Sequence, residues 1–250
     1  ARRILPALIF VFLITLLLSY FILLPSSFVD FAKSIISSLS FLSNYYFYFS
    51  GQEYASEGSH LKPLLHTWSL SVEEQFYIIF PIILLIVYNH KKNYIFLFIF
   101  LTCILSLIFS EYLSETNESL NFYTLPTRAW EILMGTLVSY SEYKRKKSKT
   151  TFANELLVLI GLLIVVLSFV FYDESVRHPT FRSLYPVIGV LLILYFANPE
   201  VKIVKFLSLK LFTYFGLISY SLYLWHYPIF AFAKYAFLTN SLSDYLIIFL

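Results

Sequence analysis

The residues best able to do chemistry crowd one boundary, where a polar stretch turns into an apolar run. Residues 60–81 read HLKPLLHTWSLSVEEQFYIIFP. His66 precedes two adjacent carboxylates, Glu73 and Glu74, and Gln75 and Tyr77 follow them. A histidine titrates near neutrality, so one held beside a carboxylate can take a hydroxyl proton and make the oxygen a nucleophile. The other reading of His66 is a loop side chain bonded to backbone. Ionisable groups in a lipid-spanning helix cost about 2.5–3.5 kcal/mol each at its centre, less near its ends, and by default mark functional sites. Ser71 and Glu74 also fit an S-x-x-E capping box, in which Glu74 bonds back to the Ser71 amide. Glu73 is not needed for that box and shares a helix face with Tyr77. It reads as an acid–base group or as the partner of an arginine.

Two further stretches carry polar groups into apolar surroundings. In PTRAWE, residues 126–131, Arg128 and Glu131 are three apart and share a face. An arginine at a helix N-terminus opposes the macrodipole, so helix stability does not explain it. Its partner is Glu131, or else Glu73, Glu74 or a substrate anion. In SYSLYLWHYP, residues 219–228, Ser219, Tyr223 and His226 fall on one helical stripe. Pro228 lacks the amide hydrogen that the Leu224 carbonyl would accept, which predicts a kink. His226 reads as lying deep in the membrane, as a packed structural histidine or as a functional one. There is no G-x-S-x-G elbow, phosphate-cradling glycine loop, H-E-x-x-H or Cys/His metal spacing. The chemistry expected here uses no metal. The single Cys103 lies in an apolar block and reads as a small core residue.

The elements that must hold these groups follow from composition. The 250 residues are 59% apolar and only 13% charged, half the charged share of an ordinary soluble domain. The apolar residues come in blocks long enough to cross a hydrocarbon core of roughly 30 Å, without the alternation of a barrel. The expected fold is an all-α polytopic transmembrane bundle of about eight segments, forming one domain that is part of something longer at both ends. The segments run from about 4–24, 70–88, 94–109, 128–143, 154–172, 184–196 and 211–238, with the last beginning near 244. Residues 25–67 read as a loop in which 31–49 lies along the membrane interface. Arg2-Arg3, Lys91-Lys92, Lys144 to Lys149 and Lys202 to Lys210 fall on one side of the segments, which places that side in the cytoplasm. Arg2 and Arg3 set topology, or also meet an anionic cytosolic ligand.

PLLHTWSLSVEEQFYIIFP, LPTRAWEILMGTL and SYSLYLWHYPIF closely resemble the integral-membrane acyltransferase family 3, whose members O-acylate carbohydrates such as lipopolysaccharide O-antigen and peptidoglycan. The opening ARRILPALIFV resembles the start of that family's third helix. The resemblance covers nearly the whole chain. It implies an O-acetyltransferase of the bacterial cytoplasmic (inner) membrane. The donor would be acetyl-CoA or another acyl-CoA, met near Arg2 and Arg3, and a carbohydrate acceptor would lie on the far side. The implied catalytic set is His66, Glu73, Glu74 and Arg128. Trp68, Tyr77, Trp130, Glu131 and His226 would line the acceptor site. Its partners would be membrane lipids, the acceptor and acyl-CoA, with no nucleic acid, and a fused or separate periplasmic esterase-like domain is compatible with it. Relative to the family, the chain lacks the first two helices, with their Arg-then-His motif, and keeps only the second arginine of an R-x-x-R element. On this reading the chain alone is inactive and its parent is an enzyme. The alternative class is a transporter or flippase of lipid-linked sugar, using the same charges for binding.

Overall fold

The computed structural model describes residues 4–51, 61–144, 152–173 and 176–237. Arg2, Arg3, most of the basic run after Lys144 and the segment beginning near 244 lie outside the described residues. In chain order the helices are α1 (Leu5–Ile22), α2 (Pro25–Leu39), α3 (Ser43–Phe49), α4 (Thr67–Lys91), α5 (Ile95–Thr116), α6 (Glu118–Tyr123), α7 (Leu125–Lys144), α8 (Phe152–Phe171), α9 (Leu184–Phe196), α10 (Lys202–Leu207) and α11 (Lys210–Phe237). Among the described residues every regular element is helical.

Four of these, α1, α4, α5 and α8, are long and apolar enough to cross a membrane. Their outward faces explain why lipid is the solvent. Leu13, Leu17 and Phe21 on α1 are 61–75% exposed, and Phe169 on α8 is 86% exposed. Such continuous apolar faces are stable against acyl chains, where every backbone polar group is already bonded within its helix. The protein is a multi-pass α-helical membrane protein. The other apolar segments are less clear-cut: α9 has 13 residues, and α7 carries Arg128, Glu131 and Glu142.

The chain divides into two compact units, 1–75 with 215–250, and 76–214. In the first, α1 starts with a proline in its first turn, where the missing amide hydrogen costs nothing. Leu8, Val11 and Phe12 of α1 pack with Phe31, Leu64, Leu70 and Leu224. The stretch expected to be an interfacial loop folds as α2 and α3. The buried stripe of α2 is Phe31, Ser34 and Ser38, so its inward face is written largely in serine and a hydrophobic pattern misses it. Ser34 and Ser38 donate back to the Phe31 and Ser34 carbonyls at 2.6 and 2.7 Å. α2 ends in a Schellman arrangement, with Phe41 in the left-handed region at φ 55°. The Phe41 amide bonds the Ser38 carbonyl and the Leu42 amide bonds that of Ser37.

In the second unit, Phe76, Ile99, Cys103, Trp130, Leu133 and Leu137 form the core where α4, α5 and α7 meet. The Ser106 hydroxyl donates to the Pro126 carbonyl at 2.6 Å and accepts from the Trp130 amide at 3.1 Å, fixing α5 against α7. α8 and α9 approach through glycines: a Cβ on Gly161 would stand 2.6 Å from the Gly189 carbonyl oxygen. Small residues let membrane helices close to backbone contact. The segment 176–183 is tied to α5 and α6. Its Pro179 carbonyl accepts from the Ser110 hydroxyl at 2.7 Å and from Asn121 Nδ2 at 2.8 Å.

Candidate functional site

His66 sits in the turn before α4 and is 2% exposed. Both of its ring nitrogens are buried and make no hydrogen bond among the described residues. Leaving buried polar groups unbonded costs about 1–3 kcal/mol apiece. The imidazole is enclosed by rings from α11. Tyr227 stacks on it with centroids 5.7 Å apart and planes at 22°, while Tyr223 and His226 meet it edge-on at 5.2 and 5.4 Å. Burial, and after it the neighbouring His226, push the His66 ring down to about 3. It is therefore neutral at neutral pH, with one N–H to give and one lone pair to receive.

The backbone of this turn is held as firmly as the ring is left open. The Tyr223 hydroxyl donates to the His66 carbonyl and pairs with the Ser69 hydroxyl at 2.7 Å. His226 Nδ1 bonds the Tyr223 carbonyl. A carbonyl only accepts, so Nδ1 carries the hydrogen, and in the neutral ring Nε2 keeps its lone pair. Two imidazoles thus stand together, one fixed in tautomer and one with both nitrogens unused.

Beneath them lies a hydroxyl network that the sequence reading missed. Thr67 Oγ1 donates to the Leu64 carbonyl at 2.7 Å and lies 2.8 Å from Ser38 Oγ. Ser71 Oγ lies 2.7 Å from Ser43 Oγ and accepts from the Ser43 amide at 3.3 Å. Gln75 Nε2 donates to the Phe41 carbonyl at 2.7 Å and to Asn44 Oδ1 at 2.9 Å. Buried small hydroxyls at regular spacing in 34–43 were the available signal. This network also corrects the capping box. α4 begins at Thr67, not near Leu70, so Ser71 is inside the helix and its hydroxyl is engaged by Ser43. Ser71 has no free N-terminal amide for Glu74 to cap.

The remaining candidates separate. His226, expected deep in the membrane, meets His66 in the turn preceding α4, and Leu224 beside it packs on Leu8, Val11 and Phe12 of α1. Trp68 is 7% exposed and Trp130 0% exposed. Trp130 is packed among Ile99, Cys103 and Leu133, so neither of its ring faces is open to a sugar, because the helix core has claimed both. Tyr77 is 54% exposed; Glu73 is exposed and Glu74 half-buried. In the second unit Arg128 and Glu131 form the expected pair, Nη1 to Oε2 at 3.5 Å, with side chains 16% and 28% exposed. Arg128 Nε also donates to the Phe122 carbonyl at 2.7 Å, and the guanidinium lies over the Phe122 ring. Glu73 and Arg128 fall in different units. Among the described residues no three His, Cys, Asp or Glu side chains gather as a metal site would require.

Residues 1–250 match the family acyltransferase 3, described as an acyltransferase domain. The chain belongs to the acyltransferase 3 family. Among its relatives are O-acetyltransferase OatA of Staphylococcus aureus (strain NCTC 8325 / PS 47), 26% identical over 99% of this chain and 42% of the relative, and Peptidoglycan O-acetyltransferase OatA of Listeria monocytogenes serovar 1/2a, 28% identical over 91% of this chain and 38% of the relative. A Putative O-acetyltransferase SACOL0978 of S. aureus (strain COL) is 28% identical over 98% of this chain and 42% of the relative. The chain thus spans about two fifths of the length of the curated relatives it matches. No solved structure matches it.

Proposed function

We propose that this acyltransferase 3 chain is the membrane part of an O-acetyltransferase that moves an acetyl group from acetyl-CoA to a carbohydrate hydroxyl, of the peptidoglycan kind that the Listeria relative's name describes. The observation that carries this reading is the buried, unbonded His66 ring beside His226. A sugar hydroxyl is a weak nucleophile and needs its proton accepted as it attacks. In the proposed step the hydroxyl donates to the free lone pair of His66. The oxygen adds to the thioester carbonyl, a C–O bond forms, the C–S bond breaks, and the proton passes through the imidazole to the departing CoA thiolate. A base held down by burial is weak at rest. It strengthens when a tetrahedral oxyanion forms beside it, because the imidazolium then has a counter-charge in a dry site.

On the same reading the basic ends face the cytoplasm, where acyl-CoA approaches Arg2 and Arg3 and its thioester reaches in to His66, while the acceptor enters from the outer face. α7, α9 and α11 then join α1, α4, α5 and α8 as seven spans among the described residues, in a bacterial cytoplasmic membrane. Glu73 and Glu74 support the acceptor end. Acyl-CoA and the carbohydrate are substrates, and the proposed step uses no metal.

The test is acyl transfer by the full-length protein in proteoliposomes, supplied with labelled acetyl-CoA and a glycan acceptor. His66→Gln should lose about two to four orders of magnitude in rate, the usual contribution of a general base, at an unchanged melting temperature. A variant that transfers at the wild-type rate would remove His66 from the chemistry. Release of free CoA only when acceptor is present separates transfer from mere translocation of a sugar.

A further inference from the structure

A second polar site lies in the other unit. The end of α5 and the segment 176–183 form an open pocket of about 270 Å³ lined by Glu111, Ser114, Glu115, Arg177, Thr180 and Arg182, with Glu115, Arg177 and Arg182 exposed at its rim. All six lining residues carry hydrogen-bonding side chains. Its frame is built by internal bonds. Glu111 Oε2 accepts from the Phe181 amide at 2.7 Å, and Arg177 Nη1 donates to the Ser114 carbonyl at 3.0 Å. The Ser114 hydroxyl donates to the Glu111 carbonyl at 2.7 Å, and Thr180 Oγ1 accepts from the Arg182 amide at 3.2 Å. Two guanidiniums and two carboxylates therefore surround one space, yet no ion pair closes between them.

That balance selects a ligand class. A phosphate or carboxylate drawn to Arg177 and Arg182 would also face Glu111 and Glu115, and a simple cation would meet the reverse conflict. Charges that leave no net field, placed around a small polar space, suit a ligand carrying many donors and acceptors and no charge. Carboxylates accept from hydroxyls while guanidiniums donate to ring and hydroxyl oxygens. The volume is near the lower end of ligand pockets, about 300–1,000 Å³, so about one ring of a longer glycan fits inside and the next lies outside it.

We propose that the pocket between the end of α5 and segment 176–183 binds a neutral, hydroxyl-rich saccharide unit of the acceptor glycan, at a distance in sequence from the histidine pair. This deepens the acyl-transfer reading and rests on it for the identity of the glycan. Glu115 and Arg182 are the informative positions, because no described hydrogen bond of the frame uses their side chains.

The probe is N,N′-diacetylchitobiose, a neutral amino-sugar disaccharide, titrated into the full-length protein in nanodiscs and followed by saturation-transfer NMR. Glucuronate, glucosamine and phosphorylethanolamine serve as anionic, cationic and zwitterionic controls. The wild type should bind the disaccharide in preference to all three. Glu115→Ala and Arg182→Ala should each weaken it about tenfold, with Glu115→Gln intermediate and all melting temperatures unchanged. Equal binding in wild type and variants overturns the proposal, and so does preference for any charged control; phosphorylethanolamine would mark a lipid-headgroup site instead. Transfer is read separately: the acceptor KM should rise about tenfold in both alanine variants at constant kcat. If the wild type transfers and KM does not move, the saccharide site fails and acyl transfer stands. If the disaccharide binds and the variants lose it while nothing transfers, the reverse holds.

Discussion

The His66 and His226 rings meet edge to face, 5.4 Å between centroids and 68° between planes. The residues are 160 positions apart, and they meet because Tyr223, one helical turn before His226, anchors the His66 carbonyl. A ring placed so firmly with neither nitrogen bonded is poor economy for stability alone, and that conflict yields the sharpest expectations.

Replacing His66 by phenylalanine should separate stability from activity. The variant removes two unbonded buried nitrogens and keeps the stack on Tyr227. It should be as stable as wild type or more so, by about 1–3 kcal/mol, while acyl transfer disappears. Thermal unfolding in detergent beside a transfer assay gives both readings; a destabilised Phe variant would point to a structural role for the imidazole.

Tyr223→Phe deletes one hydroxyl that serves both the His66 carbonyl and Ser69. The expected loss is about 1 kcal/mol of stability, the net worth of a hydrogen bond. The transfer rate should fall with acceptor KM unchanged, since the turn carrying His66 loosens. A changed KM with a constant rate would instead place the Tyr223 hydroxyl on the acceptor.

The pH dependence has a definite sign. The folded His66 ring is held down to about 3, whereas an unfolded histidine titrates near about 6.5. Between those values the unfolded chain binds a proton that the folded chain refuses. Stability that is complete above about 6.5 is therefore lost progressively as pH falls toward 3. Melting temperatures at pH 7.5, 5.5 and 4.5 should decline more steeply for wild type than for His66→Gln. Parallel curves would mean that the ring is not buried in the membrane-bound protein.

The glycine contact between α8 and α9 predicts a steric effect with a built-in control. A Cβ on Gly161 or Gly189 would lie 2.6 or 2.8 Å from the opposite carbonyl oxygen, so either alanine forces the helices apart and should cost more than about 1 kcal/mol, as overpacking does. Gly135→Ala meets nothing within 4 Å and, in mid-helix, should stabilise by about 0.5–1 kcal/mol. Comparison of the three melting temperatures is sufficient.

Much of the scaffold was legible because lipid imposes a simple code. Long apolar blocks gave α1, α4 and α8 to within three residues and the start of α5, whose polar last two turns to Thr116 the apolar count left out, and the apolar length of α9 was read correctly. His66 and His226 were each singled out, but their meeting was not, since no local spacing encodes a contact across 160 positions. α2 and α3 were invisible for a different reason: their inward stripe uses Ser34, Ser38 and Ser43, which a search for apolar periodicity counts as solvent-facing. The same hydroxyl chemistry misled the reading of Ser71, whose partner is Ser43 and not Glu74. Arg128 and Glu131 are bonded as their three-residue spacing suggested. Trp130 was expected to line the acceptor site, and only the packing of α5 against α7 reveals it as core.

The hydroxyls of Ser38, Ser43, Thr67 and Ser71 interlock, with Ser43 at the centre: its removal takes a partner from Thr67 and both partners from the Ser71 hydroxyl. Evolution, or an engineer, can therefore alter Ser43 only together with Ser71. A library meant to redirect the protein toward a different glycan should keep those four constant and randomise Glu115 and Arg182, whose side chains enter none of the frame's hydrogen bonds.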